Sequence, residues 1–103
     1  MNQREVWWAN LPRPVGRRPV LLLSRAESYR VRASVTVAQV TTTIRTIAVE
    51  VPLGIADGMP KDCVANLDTI MTISKTSLEG RICTLSEAKW QQAVAALKFA
   101  FDI

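Results

Sequence analysis

The chain has 103 residues, of which 49% are hydrophobic and 21% are charged, and its net charge is +4. This length and balance predict one globular domain over residues 1–103 and argue against a disordered chain. The chain contains no histidine, which excludes Ser-His-Asp and Cys-His catalysis and argues against a zinc site.

Short runs rich in Val, Ile, Thr and aromatic residues predict six or seven strands. In chain order the six are residues 6–11, 19–24, 33–42, 47–51, 62–67 and 80–84. The fourth is expected to pair with the third as a hairpin through residues 44–46, and residues 69–73 either extend or follow the fifth. One helical turn is expected within residues 25–32 and a single turn over residues 74–78.

The last predicted element is an amphipathic helix that begins after Ser86. Serine is a good N-cap, and Glu87 in the first turn suits the helix dipole. Four large apolar residues recur at helical spacing and predict its buried face: Trp90, Val94, Leu97 and Phe101. Strands followed by one helix predict a small, mainly antiparallel barrel with the helix packed against it.

Positive charge is concentrated at the start of the chain, where residues 1–32 contain seven arginines and two glutamates. A field of this sign favours a nucleic-acid or acidic partner over a membrane. No stretch has the length and apolarity of a membrane span. The first residues do not lead into the apolar core of a signal peptide, so we expect a cytoplasmic location.

Two adjacent arginines before a proline form the most prominent charged feature. Pro19 favours an extended conformation at Arg18, and the apolar run of residues 20–23 suits a strand covered on both faces. Guanidinium groups at the mouth of a rigid strand suit the binding of phosphate. The alternative is that Arg17 and Arg18 are solvated charges of a loop.

Other polar and aromatic groups have a functional and a structural interpretation. Thr41 offers a hydroxyl at the end of a strand, or simply has high β propensity. Asp68 is either a chemical group or a turn residue. Trp7 or Trp8 could stack on bases, although one of two adjacent strand residues must face inward. The two cysteines lack CxxC spacing and are expected to be reduced strand residues: Cys63 and Cys83.

The order of several segments resembles the MazF/PemK toxins. The resemblance begins with Glu-Val-Trp-Trp-Ala at residues 5–9 and Gly-x-Arg-Pro at residues 16–19, and continues through residues 37–42 and 62–73 to the terminal helix. It implies an SH3-like barrel of the CcdB/PemK type with a C-terminal α-helix. It also implies a sequence-specific endoribonuclease toxin that cleaves single-stranded RNA without metal or other cofactor, leaving 2′,3′-cyclic phosphate and 5′-OH ends.

The same resemblance implies partners and residue roles. A homodimer is expected, neutralised by a cognate MazE-like antitoxin with an acidic C-terminal tail. Arg18 and Thr41 fall on the family's catalytic positions, and Asp68 is a candidate general base or supporting residue. The candidate RNA-binding residues are Arg17, Trp8, Thr42, Thr43 and Arg45.

Two positions depart from the family pattern. Arg4 stands where members usually have glycine, and Asn66 replaces an arginine that one branch uses as an acid. Because an arginine is a poor general base, Arg18 is expected to stabilise negative charge in the transition state. The alternative function is a non-catalytic toxin or an RNA- or protein-binding module on the same barrel, such as a topoisomerase poison.

Overall fold

One antiparallel sheet carries the fold in this computed structural model, which describes residues 1–103. The six strands are β1 Glu5–Asn10, β2 Arg17–Leu22, β3 Ser34–Thr41, β4 Glu50–Leu53, β5 Cys63–Ser74 and β6 Leu78–Thr84. The helices are α1 Ser28–Val31 and α2 Glu87–Phe101, with 3-10 turns at Ile55–Asp57 and Lys75–Ser77. The strand order is β4-β5-β3-β2-β1-β6, and every neighbouring pair is antiparallel. The mainly β fold with a terminal helix is therefore confirmed, as a half-barrel whose edge strands are β4 and β6.

The curved sheet has an apolar core on each face. Leu21 belongs to the core that also contains Ala93 and Ala96 of α2, whereas Val20 and Leu22 belong to the core beside α1. The side chains of these three residues of β2 are fully buried. The prediction that this apolar run is covered on both faces is confirmed, and β2 is a rigid support for the residues that precede it.

The second strand begins earlier than predicted, because Arg17 and Arg18 are themselves strand residues. Arg17 pairs with Asn10 and Arg18 with Ala9 of β1. Pairing of β2 with β3 starts only at Val20, so one side of the strand has no strand neighbour at Pro19, where proline lacks a donor. Pairing with β1 fixes both arginine backbones, which a loop would leave mobile.

The predicted hairpin between the third and fourth strands is wrong. β3 lies between β2 and β5, so both of its edges are occupied, and β4 pairs with β5 instead. Residues 42–49 are the loop that crosses to the far side of β5. Ile47, which began the alternating pattern, is 47% exposed, whereas Val51 is buried.

The predicted segments 62–67 and 69–73 form one long strand, which begins at Cys63. Along β5 the register against β3 jumps from Asn66, opposite Gln39, to Ile70, opposite Ala38. Residues 67–69 therefore form a bulge with no partner on β3, which bends the strand. Asp68 is exposed on this bulge.

The N-cap of α2 is confirmed, and its buried face agrees with the prediction in part, since Trp90 and Leu97 pack against the core. Ser86 Oγ accepts a hydrogen bond of 3.2 Å from the Lys89 backbone N–H. Ala93 and Ala96 are the buried helix residues, because small side chains let α2 lie close to the sheet. Phe101 is 52% exposed, since it is the last residue of the helix, and Val94 is only half-buried.

Arg4 stands at a position where the backbone conformation favours glycine. Its φ is +80°, in the left-handed region that favours glycine. The guanidinium forms an ion pair with Glu87 and lies 5.6 Å from the ring centroid of Trp90. Contacts with the first turns of α2 thus offset the backbone cost of a side chain at this position.

A buried carboxylate, Glu5, ties the start of β1 to its surroundings. Its Oε1 accepts hydrogen bonds from Trp7 Nε1 at 2.9 Å and from the Asn2 backbone N–H at 3.0 Å, and Arg81 Nη1 lies 3.6 Å from Oε2. Burial raises the pKa of Glu5, but these hydrogen bonds and the positive charges of the N-terminus and Arg81 outweigh it, so the pKa lies below its usual value.

Glu5→Gln is expected to lower the free energy of unfolding by about 1–2 kcal/mol at neutral pH. A carboxyl whose pKa is lowered by folding stabilises the protein above its unfolded pKa and loses that contribution as the pH falls through the folded pKa. Urea unfolding of both proteins should therefore show a difference that shrinks below pH 4.5, the ordinary value. A difference that is the same at neutral and acidic pH would contradict this role for the charge.

Candidate active site

The start of β2 and the end of β3 meet at one end of the sheet, because neighbouring antiparallel strands run in opposite directions. Arg18 and Thr41 lie there and line two adjoining cavities, of about 220 and 300 Å³. We call the first the Trp8 cavity and the second the Arg45 cavity, because Trp8 lines only the first and Arg45 lines only the second. The structure thus brings together the two residues that the resemblance made catalytic.

The remaining predicted RNA-binding residues divide between the two cavities. Trp8, Arg17 and Thr42 line the Trp8 cavity, and Thr43 and Arg45 line the Arg45 cavity. Both cavities are basic, since the Trp8 cavity also contains Lys61, and no carboxylate lines either of them. The arrangement therefore attracts anions to a groove that passes over Arg18.

Arg18 is half-buried and keeps most of its donors available. Its one hydrogen bond is a long one, 3.4 Å from Nη1 to Gln39 Oε1, and the guanidinium forms no ion pair. Gln39 is in turn held by a contact of 3.3 Å between its Nε2 and Met71 Sδ. A guanidinium has five N–H donors in a planar fork, so Arg18 can bind two phosphate oxygens while its contact with Gln39 limits its orientation.

Arg17 is fixed by contacts of its own. Its Nε lies 3.0 Å from Oε1 of Glu79, and its guanidinium carbon lies 4.2 Å from the ring centroid of Trp8. The hydrogen bond from Arg17 lowers the pKa of Glu79. Arg17 therefore covers the ring of Trp8 and is partly neutralised, in contrast to the unpaired Arg18.

The two adjacent tryptophans face opposite sides of β1, as strand geometry requires. Trp7 packs against the core beside α1 and donates to Glu5. Trp8 lines the cavity. Only Trp8 is therefore placed to contact a base.

Three threonines at the end of β3 and directly after it line the cavities: Thr41, Thr42 and Thr43. Thr41 Oγ1 accepts a hydrogen bond of 3.1 Å from the Thr43 backbone N–H, which leaves its own proton free to be donated. This bond orients the hydroxyl within the cavities that Arg18 also lines. Thr41 can therefore donate to an oxygen of a phosphate that Arg18 holds.

Asp68 lies outside both cavities. Its backbone N–H donates to Asn66 Oδ1 at 2.9 Å, a local contact typical of turn residues. The only lining groups that carry charge near neutral pH are cationic. Burial raises the pKa of the Cys63 thiol above its usual value, so this thiol stays neutral. The groove can therefore bind phosphates and stabilise negative charge, and no side chain in it is an evident general base.

Two further lining residues, Gln39 and Lys61, have no signal in the sequence, and Asn66, expected only as a departure from the family pattern, also lines the Arg45 cavity. Gln39 and Asn66 are opposite each other on β3 and β5, a pairing that no local pattern indicates. Lys61 lies in a loop and reaches the site only through the tertiary fold. No group of three or more His, Cys, Asp or Glu side chains is arranged to hold a metal ion.

Glu50 is a further missed residue, and it shapes the loop that carries Arg45. The carboxylate is buried and accepts hydrogen bonds from the backbone N–H groups of Arg45 at 3.0 Å and Thr46 at 2.9 Å. Thr46 has a φ of +57°, an unfavourable value for a β-branched residue. Glu50 thus holds a strained turn in place and fixes the backbone of Arg45.

Glu50→Ala is expected to lower the free energy of unfolding by about 2 kcal/mol, because the backbone N–H groups of Arg45 and Thr46 lose their charged acceptor. It should also weaken RNA binding, since the loop that presents Arg45 loses its anchor. Glu50→Gln keeps an acceptor oxygen and is the matched control. Chemical denaturation and RNA-binding titrations measure the two effects, and an alanine variant as stable and as tight-binding as wild type would contradict the anchoring role.

Residues 2–101 match the family model described as PemK-like, MazF-like toxin of type II toxin–antitoxin systems. The chain belongs to this family. It is 39% identical over 100 residues to the probable endoribonuclease MazF5 of Mycobacterium tuberculosis, covering 95% of this chain and 90% of the relative. The probable endoribonuclease MazF2 of the same species is 35% identical over 99 residues, covering 95% of each chain.

Solved structures of MazF toxins have the same fold as the present chain. The Mycobacterium tuberculosis toxin MazF-mt6 superimposes with a TM-score of 0.89 at 33% identity, covering 97% of this chain and 98% of that chain. An endoribonuclease solved in complex with its cognate antitoxin, from a mycobacterial species, also gives 0.89 at 28% identity and covers 100% and 96% of the two chains. No helix of the present structure has the length and apolarity needed to span a membrane.

Proposed function

We propose that this toxin is a sequence-specific endoribonuclease that cleaves single-stranded RNA without a metal ion. The observation that carries the proposal is that Arg18 and Thr41 both line two basic cavities that contain no carboxylate. Membership of the family and the endoribonuclease names of its relatives support RNA cleavage as the activity.

The proposed reaction is attack of a ribose 2′-OH on the adjacent phosphorus. The 2′-oxygen forms a bond to phosphorus as it loses its proton, and the bond from phosphorus to the 5′-oxygen breaks. The leaving 5′-oxygen takes up a proton, so the products are a 2′,3′-cyclic phosphate and a 5′-OH. Negative charge builds up on the nonbridging oxygens in the transition state, where Arg18 and Thr41 can donate hydrogen bonds.

The proton of the 2′-OH has no evident acceptor among the groove side chains. We propose that water or hydroxide takes it, so that Arg18 and Thr41 act by stabilising charge. Asp68, the other candidate base, would have to reach the groove from the bulge of β5. An Asp68→Asn variant with full activity supports the solvent pathway, whereas loss of activity would return Asp68 to the catalytic set.

The remaining groove residues are proposed to bind the RNA on either side of the reacting phosphate. Arg17, Lys61 and Arg45 are suited to neighbouring phosphates. Trp8 is suited to stack on a base once Arg17 shifts from its ring. Base selection then depends on groups such as Gln39 and Asn66, whose amides can both donate and accept hydrogen bonds.

We also propose that the toxin acts as a cytoplasmic homodimer and is neutralised by a cognate MazE-like antitoxin. An acidic antitoxin tail is complementary to the basic groove and would compete with RNA for it. The mycobacterial relative solved with its cognate antitoxin supports this expectation.

The experiment is to incubate the purified protein with a long single-stranded RNA in the presence of EDTA and to map the ends of the fragments. Cleavage at a short recurring motif, with 2′,3′-cyclic phosphate and 5′-OH ends, is expected. Loss of activity with EDTA, or 5′-phosphate ends, would overturn the proposed chemistry. Intact RNA together with growth arrest in cells would favour a non-catalytic toxin.

A further inference from the structure

A third cavity, of about 160 Å³, lies at the opposite end of the sheet and has no hydrophobic lining residue. It is enclosed by the segment that follows β2, by α1, and by the facing ends of β3 and β5. Arg25 and Arg32 bring two guanidinium groups to it, and no carboxylate lines it. We call it the Arg25/Arg32 cavity.

Neither guanidinium has a partner within the chain. The ion pairs of the structure involve Arg4, Arg17 and Arg81 only, and no side-chain hydrogen bond reaches Arg25 or Arg32. Two like charges that share one small cavity repel each other, and an anion between them would turn this repulsion into attraction. Guanidinium groups are also the side chains best suited to bind the oxygens of a phosphate in pairs.

Hydroxyl groups complete the lining. Ser24 Oγ lines the cavity and accepts a hydrogen bond of 2.8 Å from the Thr36 backbone N–H, which fixes its position. Thr36 and Thr72 share one hydrogen bond of 3.0 Å between their hydroxyls, which leaves one of the two protons free. Ser28 is only 3% exposed, yet its side chain has no hydrogen-bond partner in the chain and lines the cavity.

The cavity has a firm frame. Lys75 Nζ donates a hydrogen bond of 2.8 Å to the carbonyl of Tyr29 in α1, and the Lys75 backbone N–H donates one of 2.9 Å to the carbonyl of Ala33. These bonds fasten α1 and the start of β3 to the end of β5. They also place the Lys75 ammonium next to α1 and so add to the local positive charge.

This cavity is separate from the candidate active site. On β3, Ser34 and Thr36 line it, whereas Gln39, Val40 and Thr41 line the cavities of the Arg18 groove. The five steps from Thr36 to Thr41 along an extended strand span about 17 Å. A ligand here would therefore lie at the other end of β3 from the reacting phosphate.

We propose that the Arg25/Arg32 cavity is a second anion site that binds one phosphate group, either free phosphate or a phosphate of a nucleic acid. The site does not depend on the proposed ribonuclease activity, because it shares no residue with the Arg18 groove. Its two unpaired guanidiniums, its hydroxyl lining and its volume carry the assignment.

The test is a titration of the isotope-labelled full chain with inorganic phosphate, followed through the backbone amide signals in NMR spectra. Saturable shifts are expected for Ser28 and Ser34, separate from any shifts near Arg18. In the Arg25→Ala/Arg32→Ala variant the affinity measured at Ser28 and Ser34 should fall by at least about tenfold, because two charge-assisted contacts are lost.

Arg30→Ala is the matched control, since Arg30 is an exposed arginine of α1 that does not line the cavity, and it should leave the affinity unchanged. The variant Arg25→Gln/Arg32→Gln keeps most of each side chain and should show the same loss as the alanine pair. Shifts that do not saturate, or equal affinity in wild type and both double variants, would overturn the proposal.

A second arm replaces phosphate with an oligodeoxynucleotide, which lacks the 2′-OH needed for cleavage. Tighter binding of the oligonucleotide at Ser28 and Ser34 identifies a nucleic-acid phosphate as the ligand. Binding of inorganic phosphate alone identifies free phosphate. If no phosphate binds at this cavity but RNA is still cleaved, the anion site is overturned and the proposed function stands. If phosphate binds here but RNA is not cleaved, the anion site stands and the proposed function is overturned.

Discussion

Replacing Arg18 with alanine is expected to reduce the cleavage of single-stranded RNA by about a thousandfold or more. Arg18 is the one arginine that lines both cavities of the groove and forms no ion pair. Its loss removes the strongest donor to the phosphate at the point where negative charge builds up. The rate constant under single-turnover conditions is the measurement, because it separates the chemical step from RNA binding.

The matched control for this substitution is Arg13→Ala. Arg13 is exposed in the loop between β1 and β2 and lines neither cavity, so its variant should cleave RNA at the wild-type rate. Arg18→Lys keeps one charge but not the planar fork and should recover little of the activity. Both Arg18 variants should melt near the wild-type temperature, since the side chain is only half-buried and has one long hydrogen bond. Cleavage by Arg18→Ala at the wild-type rate would remove Arg18 from the catalytic set.

Gly58→Ala is expected to give the largest loss of stability from a single methyl group, about 2–4 kcal/mol. Gly58 has a φ of +99°, and an added Cβ would lie 2.7 Å from Cβ of Cys83. The position combines a left-handed backbone with a contact too close for any two carbon atoms. A loss of this size corresponds to a fall in the melting temperature of roughly 10–25 °C for a domain of this length.

Gly16→Ala is the matched control, because Gly16 also has a positive φ, +70°, but an added Cβ there would have no atom within 4 Å. Only the backbone cost remains, so we expect a loss of about 1 kcal/mol. Calorimetry of the two variants gives both numbers. Equal losses of stability in the two variants would show that the short distance between Cys83 and the added Cβ at Gly58 has no energetic cost. A further variant, Gly58→Ala/Cys83→Gly, should regain part of the stability, since it removes the atom in conflict.

Local chemistry made much of the fold predictable from the sequence. The apolar run after Pro19 predicted a strand buried on both faces, and Ser86 predicted the start of α2; both are confirmed. These features depend on residues that are adjacent in the chain, so their conformational preferences can be read from the sequence alone. The resemblance added the family, which the match over residues 2–101 shows.

Features that depend on distant strands were not predictable in the same way. The pattern around Ile47 and Val51 suggested a hairpin with β3, but the position of β5 beside β3 sends β4 to the edge of the sheet. The bulge that exposes Asp68 is a shift of register between β3 and β5, which depends on pairing between strands that are distant in the sequence. On α2, the close approach of Ala93 and Ala96 to the sheet decided the buried face more than the larger apolar residues did.

The same distinction applies to the candidate site. Arg18 was suggested by its neighbours Gly16 and Pro19, and the resemblance added Thr41. Gln39 and Glu50 carry no local signal, because their importance comes from contacts with Arg18 and with the loop of Arg45. The structure therefore adds the residues that hold Arg18 and the loop of Arg45 in place. The proposed chemistry itself rests on Arg18 and Thr41.

The central claim is that the 2′-OH of the RNA itself attacks the phosphorus in the Arg18 groove. Its most direct test is an RNA in which only the nucleotide before the mapped cut carries a 2′-deoxyribose. We predict that this RNA binds with nearly unchanged affinity and is not cut at that bond, while the all-ribose RNA is cut. Cleavage of the modified bond at the rate of the unmodified one would contradict the account.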